Sequence, residues 1–128
     1  MNIVSQLCVL AAAVLHIFIF CMESLWFMRP SIHKHFGAAT AIDAEARRLL
    51  AFNQGFYNLF LALGAFVGLA LVNFGGNPVV GRTLALFCCA CMLGAGIVLL
   101  FSAGRRMMRA AVIQGIFPLL AWGFWLWL

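Results

Sequence analysis

Apolar residues dominate four stretches of the chain, and most charged residues fall in the segments between them. The stretches cover residues 3–28, 49–73, 79–103 and 107–128. Each exceeds the ~20 residues that an α-helix needs to cross the hydrocarbon core of a bilayer. The pattern predicts an all-α integral membrane protein, a single domain built as an antiparallel bundle of four transmembrane helices.

The segments between these stretches predict how the helices connect. Gly-Gly-Asn-Pro at 75–78 is typical of a tight turn, and the connection at 102–106 is similarly short. Helices joined by short connections are usually antiparallel neighbours. The one long connection covers residues 29–48. Pro30 should end the first helix, because proline disfavours helical backbone at the residue before it, and the second helix should begin near Ile42.

Charge predicts how these helices are oriented. The chain is 66% hydrophobic and 9% charged, whereas a soluble domain of this size needs far more polar surface. Seven of the eight basic residues lie in or directly beside two connections, Arg29, Lys34, Arg47 and Arg48 at the first and Arg105, Arg106 and Arg109 at the third. The positive-inside rule places both connections in the cytoplasm of a bacterial inner membrane, with both termini external. Topology and lipid headgroups explain the net charge of +5, so no nucleic-acid partner is predicted.

Cysteine and histidine patterns do not indicate a metal site. All five cysteines lie within apolar stretches: Cys8, Cys21, Cys88, Cys89 and Cys91. Consecutive helical positions diverge by ~100°, so the cysteines at 88–91 are more simply explained as small apolar residues in a packed helix. His33 and His35 have no third ligand nearby in sequence and are expected in a solvated loop. We predict no metal and no cofactor.

Glu23 is the most informative polar residue, because a carboxylate inside hydrocarbon is costly and is usually retained for a function. His16 precedes it by seven residues, so two helical turns should bring both side chains to one face of the first helix. Histidine and carboxylate often act together as general acid and base. His16 and Glu23 are therefore the candidate catalytic residues.

The second predicted helix contains a group of polar residues within one window of six positions, 53–58. The predicted orientation gives this group about the depth of Glu23, within a layer of roughly 10 Å at ~1.5 Å per residue. We predict one polar pocket open to the cytoplasmic leaflet, with the fourth helix contributing a third wall. The candidate ligand-binding residues are Trp26, Asn53, Gln54, Tyr57, Asn58 and Gln114.

Two alternatives remain open for these polar residues. They could serve as interhelical hydrogen bonds, which contribute only about 0.6 kcal/mol each on average. Glu23 could also pair with a basic residue near the membrane surface, with Arg29, Arg47 and Arg48 as the candidates.

Three functions fit this arrangement. The first is a site that binds, and could also act on, a small amphiphilic or lipid-like molecule. The second is a proton-coupled transporter or channel subunit, since intramembrane His and Glu residues can relay protons. The predicted external half is almost wholly apolar, which disfavours this second function. The third is a structural accessory subunit of a membrane complex. Membrane lipid is an expected partner, and the small residues at 64–68 predict close helix contact, either within the chain or in a homo-oligomer (a dimer or trimer).

Much of the chain resembles one bacterial family. The resemblance rests on His16-Ile-Phe-Ile-Phe-x-x-Glu23-Ser-Leu-Trp26, Arg29-Pro30 and Asn53-Gln54-Gly55-Phe-Tyr57-Asn58. These strings are similar to those of the small four-helix membrane proteins grouped as domain of unknown function 1304. That family carries no assigned activity, so the resemblance implies fold and topology only.

A weaker, fold-level resemblance is to the membrane-associated eicosanoid and glutathione metabolism enzymes, which are four-helix proteins that form trimers. The shared features are the helix count, the long first cytoplasmic connection and Asn53 in an arginine-preceded second helix. In the Arg-x-x-Asn-x-x-Glu motif of those enzymes, the arginine and glutamate positions correspond here to Leu50 and Phe56. The resemblance therefore implies a trimeric architecture rather than glutathione chemistry.

Overall fold

The protein is entirely helical in the computed structural model, which describes residues 1–128. Its elements are α1 (Ile3–Phe20), a π-helical turn (Cys21–Leu25), α2 (Pro30–His35), α3 (Ala41–Asn73), α4 (Pro78–Ala103), a 3₁₀ turn (Gly104–Met107) and α5 (Met108–Trp127). Four of the helices are long and one is short. The prediction of an all-α protein is confirmed.

Three stretches are long and apolar enough to cross a membrane: Ile3–Leu25, Ala41–Asn73 and Pro78–Trp127. They indicate a membrane protein. The third stretch has 50 residues and contains both α4 and α5. Gly104 interrupts it with a φ of +60°. A Cβ atom on Gly96 would lie 3.1 Å from Ala111 O, although these residues would be about 22 Å apart along one continuous helix. Helices α4 and α5 therefore fold back on each other.

Two helices begin close to the positions that the sequence predicts, and side chains cap both starts. Asn77 caps α4 by accepting hydrogen bonds from the backbone N–H groups of Val79 and Val80, at 3.0 and 3.2 Å. Thr40 and Asp43 form a reciprocal cap at the start of α3, with N···O distances of 3.1 and 3.3 Å. The second long helix was predicted to begin near residue 42, and it begins at residue 41.

The contacts of the chain fall into two compact units. The larger unit comprises Met1–Leu15 and Leu61–Leu128, and the smaller unit comprises His16–Phe60.

Glycines set the helix spacing in the larger unit. A Cβ atom on Gly64 would lie 2.6 Å from Cys88 Sγ, and one on Gly68 would lie 2.7 Å from Gly81 O. Both glycines therefore allow α3 to approach α4 closely. The small residues at 64–68 serve packing within the chain, which was one of the two predicted roles.

The larger unit also contains polar contacts in the region predicted to be external and almost wholly apolar. The bonds are Ser5 Oγ to Ala121 O at 2.7 Å, Asn2 Nδ2 to Phe124 O at 2.7 Å, Asn73 Nδ2 to Gln6 Oε1 at 2.8 Å and Trp122 Nε1 to Leu86 O at 3.0 Å. These groups bond to one another and to helix carbonyls. They hold the helices of this unit together, as interhelical hydrogen bonds do in membranes.

In the smaller unit, the segment after α1 is more ordered than predicted. Arg29 precedes α2 in an extended conformation and Pro30 occupies its first turn, so the proline begins a helix as well as following one. His33 is buried, with its Nδ1 atom 2.7 Å from Ala38 O. The expectation of a solvated loop at His33 was wrong, because this side chain closes the turn between α2 and α3.

Candidate functional site

A π-helical turn carries Glu23. The backbone N–H of Trp26 donates to Cys21 O at 2.9 Å, a bond that spans five residues instead of the four of an α-helix. Such turns occur frequently at functional sites. Because the regular helix ends at Phe20, the seven residues from His16 to Glu23 do not form two uniform α-helical turns.

Gly55 of α3 allows the π-helical turn to lie against it. A Cβ atom at position 55 would overlap Ser24 Oγ and would lie 3.1 Å from both Glu23 Cβ and Phe20 O. Ser24 Oγ donates a hydrogen bond of 2.7 Å to Phe52 O. Close approach at a glycine and this bond together fix the position of Glu23 relative to α3.

Asn58 supplies the protein partner of Glu23. Its Nδ2 atom lies 2.8 Å from Glu23 Oε2 and 3.2 Å from the backbone oxygen of Gln54. A backbone carbonyl only accepts hydrogen bonds, so the amide nitrogen must be the atom on this side, and Glu23 Oε2 is an acceptor. The other carboxylate oxygen, Oε1, has no protein donor.

A cavity of about 270 Å³ adjoins this carboxylate. Its lining residues are Glu23, Phe27, Phe36, Arg47, Leu50, Ala51 and Gln54. One part of the lining is charged or polar, and the rest is aromatic or aliphatic. Phe27 and Phe36 pack with Ala38, Ala44 and Ala51 in a small apolar cluster, and three of these five residues line the cavity. The combination suits a ligand with both a polar and an apolar part.

The two charged groups of this cavity do not pair with each other. Glu23 is bonded to an amide and not to a cation. Arg48, the neighbour of Arg47, forms an ion pair with Glu45 at 3.6 Å, on an exposed surface. The structure thus provides Glu23 with Asn58 instead of the arginine partners considered from sequence.

The predicted site residues are distributed unevenly around this cavity. Glu23 and Gln54 line it, and Asn58 bonds to Glu23 without lining the cavity. Asn53 is exposed and donates to Leu49 O at 2.9 Å, and Tyr57 is 63% exposed.

The remaining three candidates do not line the cavity. His16 is fully buried in α1. Trp26 lies against Phe18, with ring centroids 6.1 Å apart, and under Arg29, at 5.1 Å. Gln114 lies in the larger unit, where a Cβ atom on Gly96 would be 3.4 Å from its Cγ. The roles assigned to these residues stay predictions.

Phe27, Phe36 and Arg47 line the cavity but were not among the candidates identified from sequence. Arg47 was interpreted only as a topological charge. The two phenylalanines flank the short helix α2, and only the folding of that segment onto α3 brings them together, with ring centroids 6.1 Å apart. An aromatic residue on each side of Pro30 was the available signal.

No group of three or more His, Cys, Asp and Glu side chains is arranged to hold a metal ion.

We expect Asn58→Asp to destabilise the protein by about 1–2 kcal/mol, because it replaces a donor between two acceptors with a third acceptor. Asn58→Asp combined with Glu23→Gln is the matched control, since a glutamine amide at position 23 can donate to the new carboxylate. Thermal unfolding in detergent should show a lower midpoint for the first variant alone. Equal midpoints would contradict the assigned Glu23–Asn58 bond.

The sequence also relates the chain to other proteins. The family model described as "Protein of unknown function (DUF1304)" matches residues 10–126. No curated protein and no solved structure matches the chain. The resemblance predicted from the His16–Trp26 and 53–58 strings is confirmed, while the likeness to the eicosanoid and glutathione enzymes stays a prediction. Because the match covers most of its length, the chain belongs to the DUF1304 family of proteins of unknown function.

Proposed function

We propose that this protein crosses a bacterial inner membrane four times, with both termini outside. Four long helices and the folding back of α4 on α5 support the count. The concentration of seven basic residues in two connections supports the orientation. In this orientation the start of α3, with Arg47 and Arg48, lies at the cytoplasmic surface.

Within that topology, we propose that the protein binds a small amphiphilic or lipid-like molecule in the cavity beside Glu23. The observation that carries this proposal is a lining that combines a carboxylate, a guanidinium and an amide with aromatic and aliphatic side chains. A polar headgroup would contact Glu23, Arg47 and Gln54, and the start of an apolar chain would contact Phe27 and Leu50. Chemistry on the ligand, with His16 and Glu23 as acid and base, stays a further hypothesis.

We also propose a homo-oligomer, a dimer or a trimer. Tyr57 and Asn53 are exposed on α3 although they lie inside an apolar span. Polar groups in hydrocarbon are stabilised when they meet a partner, and a second copy of the chain would supply one.

The direct test is native mass spectrometry of the protein purified in a mild detergent, followed by identification of extracted small molecules. A retained amphiphile is the expected result, and the same spectra report the oligomeric state. Protein that carries no amphiphile, after purification from membranes and again after incubation with lipid extract, would contradict the proposal.

Glu23→Gln should reduce retention of the amphiphile about tenfold without lowering stability. Glutamine keeps an oxygen that can accept from Asn58 Nδ2 but removes the charge that faces the cavity, and a hydrogen bond to a charged group contributes ~1.5–3 kcal/mol. Glu45→Gln is the matched control, because Glu45 lies on the exposed surface and does not line the cavity. If Glu23→Gln leaves ligand retention unchanged, the pocket hypothesis fails.

A further inference from the structure

The cavity beside Glu23 presents two groups without a protein partner to any ligand, a carboxyl oxygen and a guanidinium. Glu23 Oε2 is occupied by Asn58, which leaves Oε1 without a protein donor. Arg47 lines the same cavity, and the ion pair next to it is formed by Arg48 with Glu45 instead. A ligand therefore meets one carboxyl oxygen that can accept a hydrogen bond and one guanidinium that can pair with an anion.

These two groups lie at different depths along α3. Arg47 precedes Gln54 by seven residues and Asn58, the partner of Glu23, by eleven, so it lies about 10–16 Å closer to the start of the helix. The arginine side chain is long and can span part of this distance. On the proposed topology, the anion-binding group is near the membrane surface and the acceptor is deeper.

We propose that the ligand is an anionic amphiphile with a hydrogen-bond donor, a hydroxyl or an amide N–H, between its anionic head and its apolar chain. This inference rests on the proposed function and specifies the class of ligand. The anion pairs with Arg47, the donor bonds to Glu23 Oε1, and the chain begins against Phe27 and Leu50. Gln54 lies between the two charged groups and can bond to either part of the head.

Amphiphiles whose head carries only an anion or only a hydrogen-bond donor match the cavity lining less well. A simple fatty acid or an alkyl phosphate satisfies Arg47 but leaves the carboxylate of Glu23 without a donor beside a second anion. A neutral monoacylglycerol satisfies Glu23 but leaves Arg47 unpaired. A head that carries both groups is the one that matches the lining.

Three probes with closely matched oleyl or oleoyl chains test this inference by native mass spectrometry of the full-length protein in detergent. Lysophosphatidic acid carries both the anion and the hydroxyl, oleyl phosphate carries the anion alone, and monooleoylglycerol carries hydroxyls alone. We expect lysophosphatidic acid to bind about tenfold more tightly than either of the others, the factor that one charge-assisted hydrogen bond typically provides.

Two variants test which residue recognises the hydroxyl and which recognises the anion. Glu23→Gln should remove most of the advantage of lysophosphatidic acid over oleyl phosphate, and Arg47→Gln should remove its advantage over monooleoylglycerol. Arg48→Gln is the control for Arg47, because Arg48 pairs with Glu45 and does not line the cavity.

The outcomes separate the inference from the function on which it rests. Equal binding of the three probes, or ratios that neither variant changes, would overturn the inference while amphiphile binding stands. Failure of all three probes to bind would overturn both.

Discussion

Replacing Gly68 with alanine is expected to lower the free energy of unfolding by about 3 kcal/mol, at the upper end of the range for overpacking. A Cβ atom at this position would lie 2.7 Å from both Ala85 N and Gly81 O. Both are backbone atoms of α4, so the contact can be relieved only by moving the helices apart. Thermal unfolding in detergent, followed by size-exclusion chromatography of the heated protein, should show a midpoint lower by about 10 °C.

Gly94→Ala provides the matched control on α4 itself. Apart from the adjoining backbone of α4, no atom lies within 4 Å of a Cβ built on Gly94, so alanine there should be neutral, or stabilising by up to about 1 kcal/mol through its higher helix propensity. Gly64→Ala should fall between the two, because its contact is with the side chain of Cys88. Equal midpoints for Gly68→Ala and Gly94→Ala would contradict close packing of α3 on α4.

The positions of the helices could be predicted because hydrophobic runs and local caps are sequence properties. The turn at 75–78 and the start of α3 at Thr40 and Asp43 depend on side chains that bond to neighbouring backbone atoms. Counting residues from the helix ends predicted that Glu23 and the polar part of α3 lie at the same depth. Asn58, in that part of α3, bonds to Glu23. Each of these predictions uses residues separated by few positions or a depth that follows from helix rise.

The π-helical turn could not be predicted, because its geometry accompanies a contact between distant segments. Nothing in Cys-Met-Glu-Ser-Leu specifies a bond that spans five residues. The turn instead fits against Gly55, thirty or more positions later, and is held by Ser24 bonding to Phe52 O. The prediction that His16 and Glu23 share a face assumed a uniform α-helix. It therefore did not include the different rotation per residue in the π-helical turn.

Two of the candidate site residues, Glu23 and Gln54, line the cavity, and the rest of its lining was not among the candidates. Polar residues are conspicuous in an apolar span, so Glu23 and Gln54 were identified from sequence. Phe27 and Phe36 are ordinary in such a composition, and their role depends on how α2 folds back toward Ala44 and Ala51. Apolar lining residues carry no distinguishing signal until the chain is folded.

Gly55→Ala is expected to abolish ligand retention and to lower stability by about 2 kcal/mol. The new Cβ would overlap Ser24 Oγ, so the Ser24–Phe52 bond would be lost and the π-helical turn displaced from α3. Glu23 Cβ and Phe20 O, each 3.1 Å from the Cβ position, would have to move with it. The bond to Asn58 would lengthen, and the carboxylate would leave its place in the cavity lining. Ligand binding should therefore fall more than in Glu23→Gln, which keeps the backbone unchanged.

A double-mutant cycle tests whether the Ser24 hydroxyl is the obstacle. Ser24→Ala alone should lower stability by only about 0.6 kcal/mol, the average for one interhelical hydrogen bond in a membrane. In the double variant with Gly55→Ala the overlapping oxygen is gone, so the two changes should together lower stability by at least ~1 kcal/mol less than their sum, as expected for residues in contact. Gly123→Ala, with no atom within 4 Å of its Cβ position, should change neither ligand retention nor unfolding. Strict additivity of the two substitutions would mean that the Ser24 hydroxyl is not the obstacle. A Gly55→Ala variant as stable as the unmodified protein would mean that the π-helical turn does not rest on Gly55, and the position assigned to Glu23 would have to be revised.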